Sequence, residues 1–240
     1  MKHDIVDVNN LQRLSAAFSL LQGAGYGMSK FGLVHGTAGF GKTTAVGWLS
    51  QPNQANAIFV TATPFWTPTS MLKTLIHELG FEPIGRGTQD YFNQVVEAVS
   101  RFQRPLFVDE ADFIFDAPSG KRMVESLRSV HDIAGVPVLL IGMDKISAKV
   151  RRLPQLNSRI AQEICFAPLT LEDAAAIAAQ NIEVGIAPDL LADVHSAANG
   201  NARYLCEGLA KAENFAVRQG WQVIDLAGWK QAKQAYFLDR

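Results

Sequence analysis

The stretch Gly36-Thr37-Ala38-Gly39-Phe40-Gly41-Lys42-Thr43 decides the fold of this chain of 240 residues. It fits the pattern G-x-x-x-x-G-K-[ST] and lies between a short apolar run and a segment of helical character, which is the context the pattern needs. In such a loop, backbone N–H groups surround phosphate oxygens and the next helix adds the positive end of its dipole. We expect this loop and the adjacent Thr44 to bind nucleotide phosphates, with Lys42 on the β- and γ-phosphates and the Thr43 hydroxyl on Mg²⁺. A glycine-rich turn that happens to contain Lys-Thr is the alternative.

Two adjacent carboxylates end a later apolar run, Pro105-Leu-Phe-Val-Asp109-Glu110. Phosphoryl transfer depends on positioning and charge compensation, so carboxylates at the end of a buried strand suit it. We expect Asp109 to hold the magnesium shell and Glu110 to polarise the attacking water. Asp112 is expected only to cap the next element of the chain. A solvated strand end is the alternative, which the upstream loop disfavours.

The composition limits the classes of protein that this chain can represent. Its length suggests one large domain, or one domain with a small appendage. With 48% hydrophobic and 19% charged residues it can bury a substantial core. Lys and Arg number 22 and Asp and Glu 23, a net charge of −1, which excludes a strongly basic nucleic-acid coat protein and an acidic disordered tail but leaves room for a local basic patch.

Short apolar runs alternate with longer helical segments through the first two thirds of the chain. Continuously apolar runs of this length are typical of parallel strands covered on both faces, and the alternation predicts an open parallel α/β sheet. The predicted strands are Phe31–His35, Ala57–Ala62, Pro105–Asp109, Pro137–Met143 and Glu163–Phe166.

The pattern becomes helical after Pro168. Thr170-Leu-Glu-Asp173 resembles a capping box, Pro188 opens a second helix, and no later run has a strand signal of similar quality. We therefore predict a nucleotide-binding α/β domain over residues 1–168 and a small all-helical domain over residues 169–240.

Cysteine usage and apolar runs indicate a soluble, cytoplasmic protein without a membrane segment. The two cysteines, Cys165 and Cys206, are too few for a disulfide framework, and we expect Cys165 to be a buried thiol. The longest apolar run, Val136–Met143, is far shorter than the ~20 residues that span a bilayer. The N-terminus lacks the apolar stretch of a signal peptide.

The loop, the carboxylate pair and the helical region resemble the AAA+ ATPases over nearly the whole chain. The resemblance implies a five-stranded parallel sheet in the order 5-1-4-3-2 followed by a helical lid. It also implies two arginines that act on the nucleotide. Arg159, within Ser158-Arg159-Ile160, looks like the family's finger for the neighbouring subunit, with Arg151 and Arg152 as alternatives. Arg203, within Gly200-Asn-Ala-Arg203, looks like the lid arginine.

The end of the fourth predicted strand departs from this family. A polar sensor usually stands there, whereas this chain reads Ile141-Gly142-Met143-Asp144. Either Asp144 substitutes for it or water positioning falls to other groups.

Two further segments resemble one branch of these ATPases, the phage Mu B-type target-DNA activators and their prophage relatives. They are Asn9-Asn10-Leu-Gln-Arg13 and Thr61-Ala-Thr-Pro-Phe-Trp66-Thr-Pro. The resemblance implies ATP binding with Asn10 among the contacts, and ATP-bridged filaments or rings on double-stranded DNA. It also implies delivery of that DNA to a DDE transposase, which stimulates hydrolysis. The phage Mu protein has an N-terminal DNA-binding domain that we expect to be absent here.

DNA contact would then come from basic side chains of the ATPase body. Such contacts neutralise phosphates without reading sequence and weaken steeply with salt. One group of basic residues lies in the segment 145–159, which contains no acidic residue. A second group, Lys121, Arg122 and Arg128, includes the acidic Glu125 between its members. For both groups, a solvated helix face or a subunit contact is the alternative. The candidates are Lys73, Lys121, Arg122, Lys145, Lys149, Arg151 and Arg152.

Two other functions remain open at this point. The chain could be an AAA+ ATPase of secretion or of replication loading. It could also be a nucleotide-gated switch or scaffold that hardly turns ATP over. Glu110 argues against the switch, and the missing polar sensor argues for slow turnover.

Overall fold

The computed structural model describes residues 2, 4–25 and 27–237. Its strands are β1 Phe31–His35, β2 Ile58–Thr61, β3 Leu106–Asp109, β4 Val138–Ile141, β5 Ile160–Cys165, β6 Gly185–Ile186 and β7 Val223–Ile224. Its helices are α1 Asn9–Gly23, α2 Lys42–Leu49, α3 Pro68–Glu78, α4 Thr88–Phe102, α5 Asp112–Asp116, α6 Gly120–Ala134, α7 Ile146–Arg151, α8 Pro154–Asn157, α9 Leu171–Asn181, α10 Pro188–Ala198, α11 Ala202–Gln219 and α12 Leu226–Gln231.

The first five strands form one parallel sheet in the order β2-β3-β4-β1-β5. This is the predicted order, and the predicted α/β class and helical C-terminal region are confirmed with it. β3 and β4 are buried along their whole length because neighbours and helices cover them on all sides. Since all five strands are parallel, the loops after β1, β3 and β4 leave the same edge of the sheet.

Strand β5 is where the expectation of a continuously apolar strand was wrong. It begins at Ile160, earlier than predicted, and its residues are mostly exposed or half-buried because it forms an edge of the sheet. Cys165, at its end, is exposed rather than a buried thiol. The apolar run therefore located the second half of this strand and missed its first three residues, 160–162, none of which is buried.

The chain divides into two compact units. One comprises residues 13–37 and 42–165, and the other the described parts of residues 1–12, 38–41 and 166–240. The division falls after Cys165, and it groups the tip of the phosphate loop with the C-terminal helices. The predicted boundary after Pro168 remains a prediction.

The C-terminal unit is built from α9 to α12, each begun by a local signal. Thr170 caps α9 and forms the predicted box with Asp173, while Pro188 occupies the first turn of α10. The helices enclose a core that includes Leu190, Leu205 and Trp229. One addition to the predicted helices is a parallel pairing of the two-residue strands β6 and β7.

Among the residues described, no helix combines the length and the apolar character that crossing a membrane requires.

Candidate nucleotide site and cationic groove

The phosphate loop runs from the end of β1 to the start of α2 and is shaped by glycine. Gly39 has φ of 84° and Gly41 has φ of 86°, the left-handed region that residues with a Cβ rarely adopt. These turns lead the chain directly into the first residue of α2, Lys42. The predicted strand–loop–helix context is therefore present.

Lys42 is buried and held against its own loop. Its Nζ donates to the carbonyl oxygen of Gly36 at 2.6 Å and to that of Thr37 at 3.0 Å. Burial lowers the pKa of this ammonium, while the surrounding carboxylates oppose that shift. The opposing carboxylates, in order of effect, are Asp144, Asp109, Glu110 and Asp112. A buried cation thus stands among four acidic groups.

Thr43 and Asp109 provide oxygen ligands that suit Mg²⁺, and Thr44, a predicted phosphate contact, follows Thr43 in α2. Both threonines lie exposed in the first turn of α2, and Asp109 is buried at the end of β3, where its Oδ1 accepts the N–H of Glu110 at 2.8 Å. Mg²⁺ is usually bound through one or two carboxylates together with phosphate oxygens and water. The Thr43 hydroxyl and the Asp109 carboxylate match that requirement and would hold the ion with a nucleotide.

Glu110 has an unusual backbone conformation and an unusual proton affinity. Its φ is 52°, a left-handed value that is strained for a residue other than glycine and that recurs at active sites. Burial, and then the charges of Asp109 and Asp112, raise the pKa of its carboxyl above the ordinary value, while Lys42 opposes the shift. A carboxylate with raised proton affinity is suited to accept a proton.

The loop after β4 brings Asp144 to the phosphate loop. Its Oδ2 accepts the hydroxyl hydrogen of Thr37 at 3.0 Å. The preceding residue, Met143, is apolar, and its Sδ lies 4.0 Å from Lys42 Nζ. Asp144 thus lies beside the phosphate loop, and whether it takes the place of the polar sensor stays a prediction.

Asp112 does not cap the next element as expected. It is the first residue of α5, the N-cap position is held by Ala111 without a side-chain capping bond, and the Asp112 carboxylate makes other contacts. Its Oδ2 accepts the N–H of Met143 at 2.6 Å, and its Oδ1 lies 3.0 Å from Lys149 Nζ. Lys149 also contacts Asp116 at 2.8 Å. Burial acts to lower the pKa of Lys149, but hydrogen bonds to Asp116 and Asp112 outweigh it and leave the pKa raised. One predicted DNA contact is therefore engaged inside the protein.

His35, which precedes the loop, was missed by sequence reasoning. Its Nε2 lies 3.0 Å from Glu163, which also accepts the Ser147 hydroxyl at 2.6 Å. The Ser147 bond, more than the His35 charge, lowers the pKa of the Glu163 carboxyl, while burial opposes the shift. No local pattern announces this contact because it joins residues from three separate segments.

The arginines proposed as fingers differ in how they are held. Arg159 is half-buried; its guanidinium lies 3.2 Å from Asp132 and donates to the carbonyl of Gln155 at 2.8 Å. Arg151 is exposed and lies 3.9 Å from Glu163. Arg152 is also exposed, and within the described chain its side chain has no ion pair or hydrogen bond. The structure thus leaves Arg152 free and holds Arg159 in place.

Two predicted nucleotide contacts lie in the C-terminal unit. Asn10 is buried, and its side chain donates to the carbonyl of Ala167 at 2.8 Å and accepts that residue's N–H at 3.1 Å. Arg203 is exposed in the first turn of α11, and its N–H donates to the carbonyl of Gly39 at 3.3 Å. Arg203 is thus next to the loop tip, whereas the Asn10 amide is occupied by backbone.

A groove of about 530 Å³ opens where α3, α4 and α6 begin. We call it the cationic groove, because Lys121 and Arg122 line it and neither side chain has an ion pair or hydrogen bond within the described chain. The acidic residue in its lining, Glu125, is engaged by Arg128 at 2.8 Å. The remaining lining residues are Pro68, Thr69, Thr88 and Ser126.

The other predicted DNA contacts lie outside the lining of this groove. Lys73 is half-buried, with its Nζ 4.9 Å from the ring centroid of Tyr91. Lys145 is exposed before α7. The cationic groove therefore unites two of the seven candidates.

Comparison with known proteins identifies the domain family and the fold. The model of the AAA domain matches residues 28–150. The Mu-like prophage FluMu DNA transposition protein B of Haemophilus influenzae is 27% identical over 154 residues, 60% of this chain and 51% of that protein. The chain thus spans about half the length of this curated relative. The predicted resemblance to transposition proteins of this type is confirmed by the match.

Solved structures of similar fold include two proteins of Aeropyrum pernix. Its ORC2 protein, in ADPNP–ADP complexes, has a TM-score of 0.76 at 16% identity, covering 97% of this chain and 69% of that one. Its ORC1 protein in complex with DNA has a TM-score of 0.68 at 20% identity, covering 93% and 63%. At these identities the likeness concerns the fold.

Proposed function

The chain belongs to the AAA domain family, and we propose that it is an ATPase that binds double-stranded DNA without sequence preference and delivers it to a DDE transposase. The family implies nucleotide hydrolysis in general. One observation carries the assignment of ATP hydrolysis to this chain: Lys42 lies buried in its loop among the carboxylates that end β3, Asp109 and Glu110. We place its action in the cytoplasm, where a transposase meets its target DNA.

Hydrolysis would proceed by positioning and charge compensation. Lys42 supplies a positive charge to the β- and γ-phosphates, and Thr43 and Asp109 hold Mg²⁺, which when bound neutralises phosphate charge. Glu110 orients the attacking water and accepts its proton as the water oxygen bonds to the γ-phosphorus, while the bond from that phosphorus to the β–γ bridging oxygen breaks and ADP leaves. Asp144 keeps Thr37 in place through its hydrogen bond. Arg203 is the lid arginine that we propose acts on the nucleotide.

Replacing Glu110 with Gln tests this assignment. The amide keeps the shape of the side chain but cannot accept the proton, so we expect hydrolysis to fall at least ~100-fold while ATP binding persists. Glu97→Gln, at a site on α4 outside the proposed machinery, serves as the control. Unchanged hydrolysis in the Glu110 variant would remove the assigned base.

Binding to DNA would use the cationic groove. First-turn residues of three helices line it, and helix N-termini carry partial positive charge, which the Asp90 carboxylate offsets on α4 but no acidic first-turn residue offsets on α3 or α6. Lys121 and Arg122 add two charges that the described protein does not neutralise. Together these features suit the phosphate backbone of a duplex, which carries no sequence information.

Duplex DNA of random sequence, titrated at several salt concentrations with ATP present, tests the groove. The double variant Lys121→Ala/Arg122→Ala should lose about tenfold or more in affinity at low salt, and its log–log salt slope should shrink by about two. Arg218→Ala/Lys230→Ala removes the same charge from exposed sites on α11 and α12 as a control. Equal losses in both double variants would mean that net charge, not the groove, governs binding.

Assembly would be bridged by ATP between neighbouring copies, with an arginine of one copy on the nucleotide of the next. Arg152 is free for this role, whereas Arg159 is engaged by Asp132. We expect Arg152→Ala to abolish ATP-dependent assembly in sedimentation and Arg159→Ala to weaken it less. Complete loss with Arg159→Ala alone would return the finger to the position that the resemblance implies.

A slow nucleotide-gated switch is the second candidate, and the loop after β4 favours it. Met143 places a thioether, only a weak acceptor, where the family usually has a polar sensor, and the nearby Asp144 carboxylate is engaged by Thr37. Single-turnover hydrolysis decides between the two. A switch would turn over at the same low rate with and without DNA and transposase, whereas the proposed ATPase would accelerate.

A further inference from the structure

We propose that Asn201 is a positioning residue that holds the tip of the phosphate loop and Arg203 in one arrangement, so that nucleotide affinity depends on it. The inference rests on the proposed nucleotide binding and assigns a role to a residue outside the loop motif. In the sequence, Asn201 belongs to no motif in its own right and simply lies between Gly200 and Arg203.

The side chain of Asn201 makes hydrogen bonds at both of its ends. Its Oδ1 accepts the N–H of Arg203 at 3.0 Å and that of Tyr204 at 3.2 Å, which caps α11. Its Nδ2 donates to the carbonyl of Ala38 at 3.0 Å. All of these residues belong to the same compact unit. A cap with only an acceptor could not make the second contact.

The Asn201 side chain packs directly against Gly39 and leaves no room for a Cβ on that residue. A Cβ built on Gly39 would lie 2.3 Å from Asn201 Nδ2 and 2.5 Å from its Oδ1. The Gly39 carbonyl in turn accepts the N–H of Arg203 at 3.3 Å. Gly39 is therefore required by the close approach of Asn201 as well as by its own φ.

The turn that presents Asn201 is itself held from the other side. Asn199 and Gly200 have φ of 48° and 68°, and the Gly200 carbonyl accepts the N–H of Leu169 at 2.8 Å. A Cβ on Gly200 would lie 2.5 Å from that of Pro168. Asn201 thus follows a turn that is fixed by these contacts, and its side chain extends from there to the loop tip.

This geometry joins two parts of the proposed site through one amide. Residues 38–41 provide N–H groups for the phosphates, and Arg203 provides a charge two residues after Asn201. When the amide holds both, the loop tip and the arginine are arranged before the nucleotide arrives, which reduces the ordering that binding requires. Without it, each part must be ordered separately.

Asn201→Ser isolates the contact with the loop. Serine caps a helix about as well as asparagine, carries no charge and is too short to bond Ala38 as well. We expect the unfolding temperature without nucleotide to stay close to that of the wild type. The dissociation constant for ATP with Mg²⁺, measured by calorimetry, should rise about fivefold, the size of one lost hydrogen bond.

Asp225→Ser is the matched control. Asp225 caps α12 through its bond to the N–H of Gly228 at 2.7 Å, and its substitution alters a helix cap of the same unit without a contact to the loop. It should leave the dissociation constant for ATP unchanged. An equal loss of affinity in both variants would assign the effect to capping and overturn the proposal.

A double-mutant cycle tests whether Asn201 acts together with Arg203. In the Arg203→Ala background, Asn201→Ser should weaken ATP binding by less than it does in the wild type, because the residue to be positioned is gone. Additive effects would show that the two residues act independently, which overturns the proposed link.

Hydrogen exchange separates failure of this proposal from failure of the proposed function. Loss of the bond should speed exchange at residues 38–41 in nucleotide-free Asn201→Ser relative to the wild type and to Asp225→Ser. A wild-type protein that binds no ATP would end the proposed function while leaving this readout informative. Unchanged exchange and unchanged ATP affinity would end the role of Asn201.

Discussion

Lys42 in the phosphate loop and Lys121 with Arg122 in the cationic groove place positive charge in opposite surroundings. Lys42 is buried, bonded to two carbonyl oxygens and surrounded by four carboxylates. The groove cations are exposed, and the described protein offers them no acidic partner. A buried and bonded charge serves one fixed geometry, whereas free surface charges suit a partner that is recognised by charge alone.

The largest expected effect comes from removing the buried charge. Lys42→Met should reduce ATP hydrolysis at least ~100-fold, since a preorganised charge at the reacting phosphates is lost and four carboxylates lose their counter-charge. Hydrolysis is measured as phosphate release under saturating ATP. Lys145→Met, which removes an exposed lysine of the same unit, is the control. If both variants hydrolysed ATP like the wild type, the contrast between buried and exposed cations would not concern catalysis.

A smaller effect is expected from pH, and it tests the carboxylates around the buried lysine. Burial and the neighbouring Asp109 and Asp112 raise the pKa of Glu110 above its ordinary value of 4.5, with Lys42 opposing. Because Glu110 accepts a proton only when ionised, hydrolysis should fall as pH decreases through this raised pKa, while remaining high above it. The pH profile of kcat, with circular dichroism to verify folding, should have an acidic midpoint above 4.5.

Removing Asp112 indicates whether that midpoint belongs to Glu110. Asp112→Asn takes away one of the like charges that raise the pKa, so the acidic midpoint should move to lower pH. A midpoint that moves upward or stays in place would assign the profile to another group.

The smallest effect is expected for Lys149, the basic side chain that looked free in the sequence. Its ammonium is paired with Asp112 and Asp116 at 3.0 and 2.8 Å, so Lys149→Met should lower the free energy of unfolding by about 1 kcal/mol or less. Urea denaturation measures this change. Affinity for random duplex DNA should hardly change, in contrast to the groove variants. A tenfold loss of DNA affinity would show that this lysine leaves its carboxylates for phosphates.

Much of the fold and half of the site could be predicted because their signals are local. The loop motif, the carboxylates after β3 and the cap of α9 each lie within a few consecutive residues. The start of β5 and the exposure of Cys165 could not be predicted, since an edge strand is defined by the neighbour it lacks. Composition alone cannot report that position.

The basic residues show most clearly what could not be predicted from the sequence. Charge content marked both Lys121 and Lys149 as candidates for DNA contact, and it favoured Lys149, whose segment contains no acidic residue. In the fold, the first lines an open groove and the second is neutralised by carboxylates from α5. The net charge of −1 does not distinguish these two lysines, because it counts exposed cations and cations paired with carboxylates alike.

The amino-acid sequence was sufficient to predict the α/β class and the helical C-terminal region, and it located the loop motif and the carboxylates after β3, whose roles stay predictions. Hydrophobic periodicity, helix caps and glycine positions are local signals that lie within a few neighbouring residues, and the phosphate-loop motif is likewise a run of consecutive residues. Folding in three dimensions was needed to establish which charges remain free, that Asp144 reaches Thr37, and that Asn201 joins Ala38 to Arg203. Those contacts join segments far apart in the chain, and only the packed fold brings their atoms within hydrogen-bonding distance.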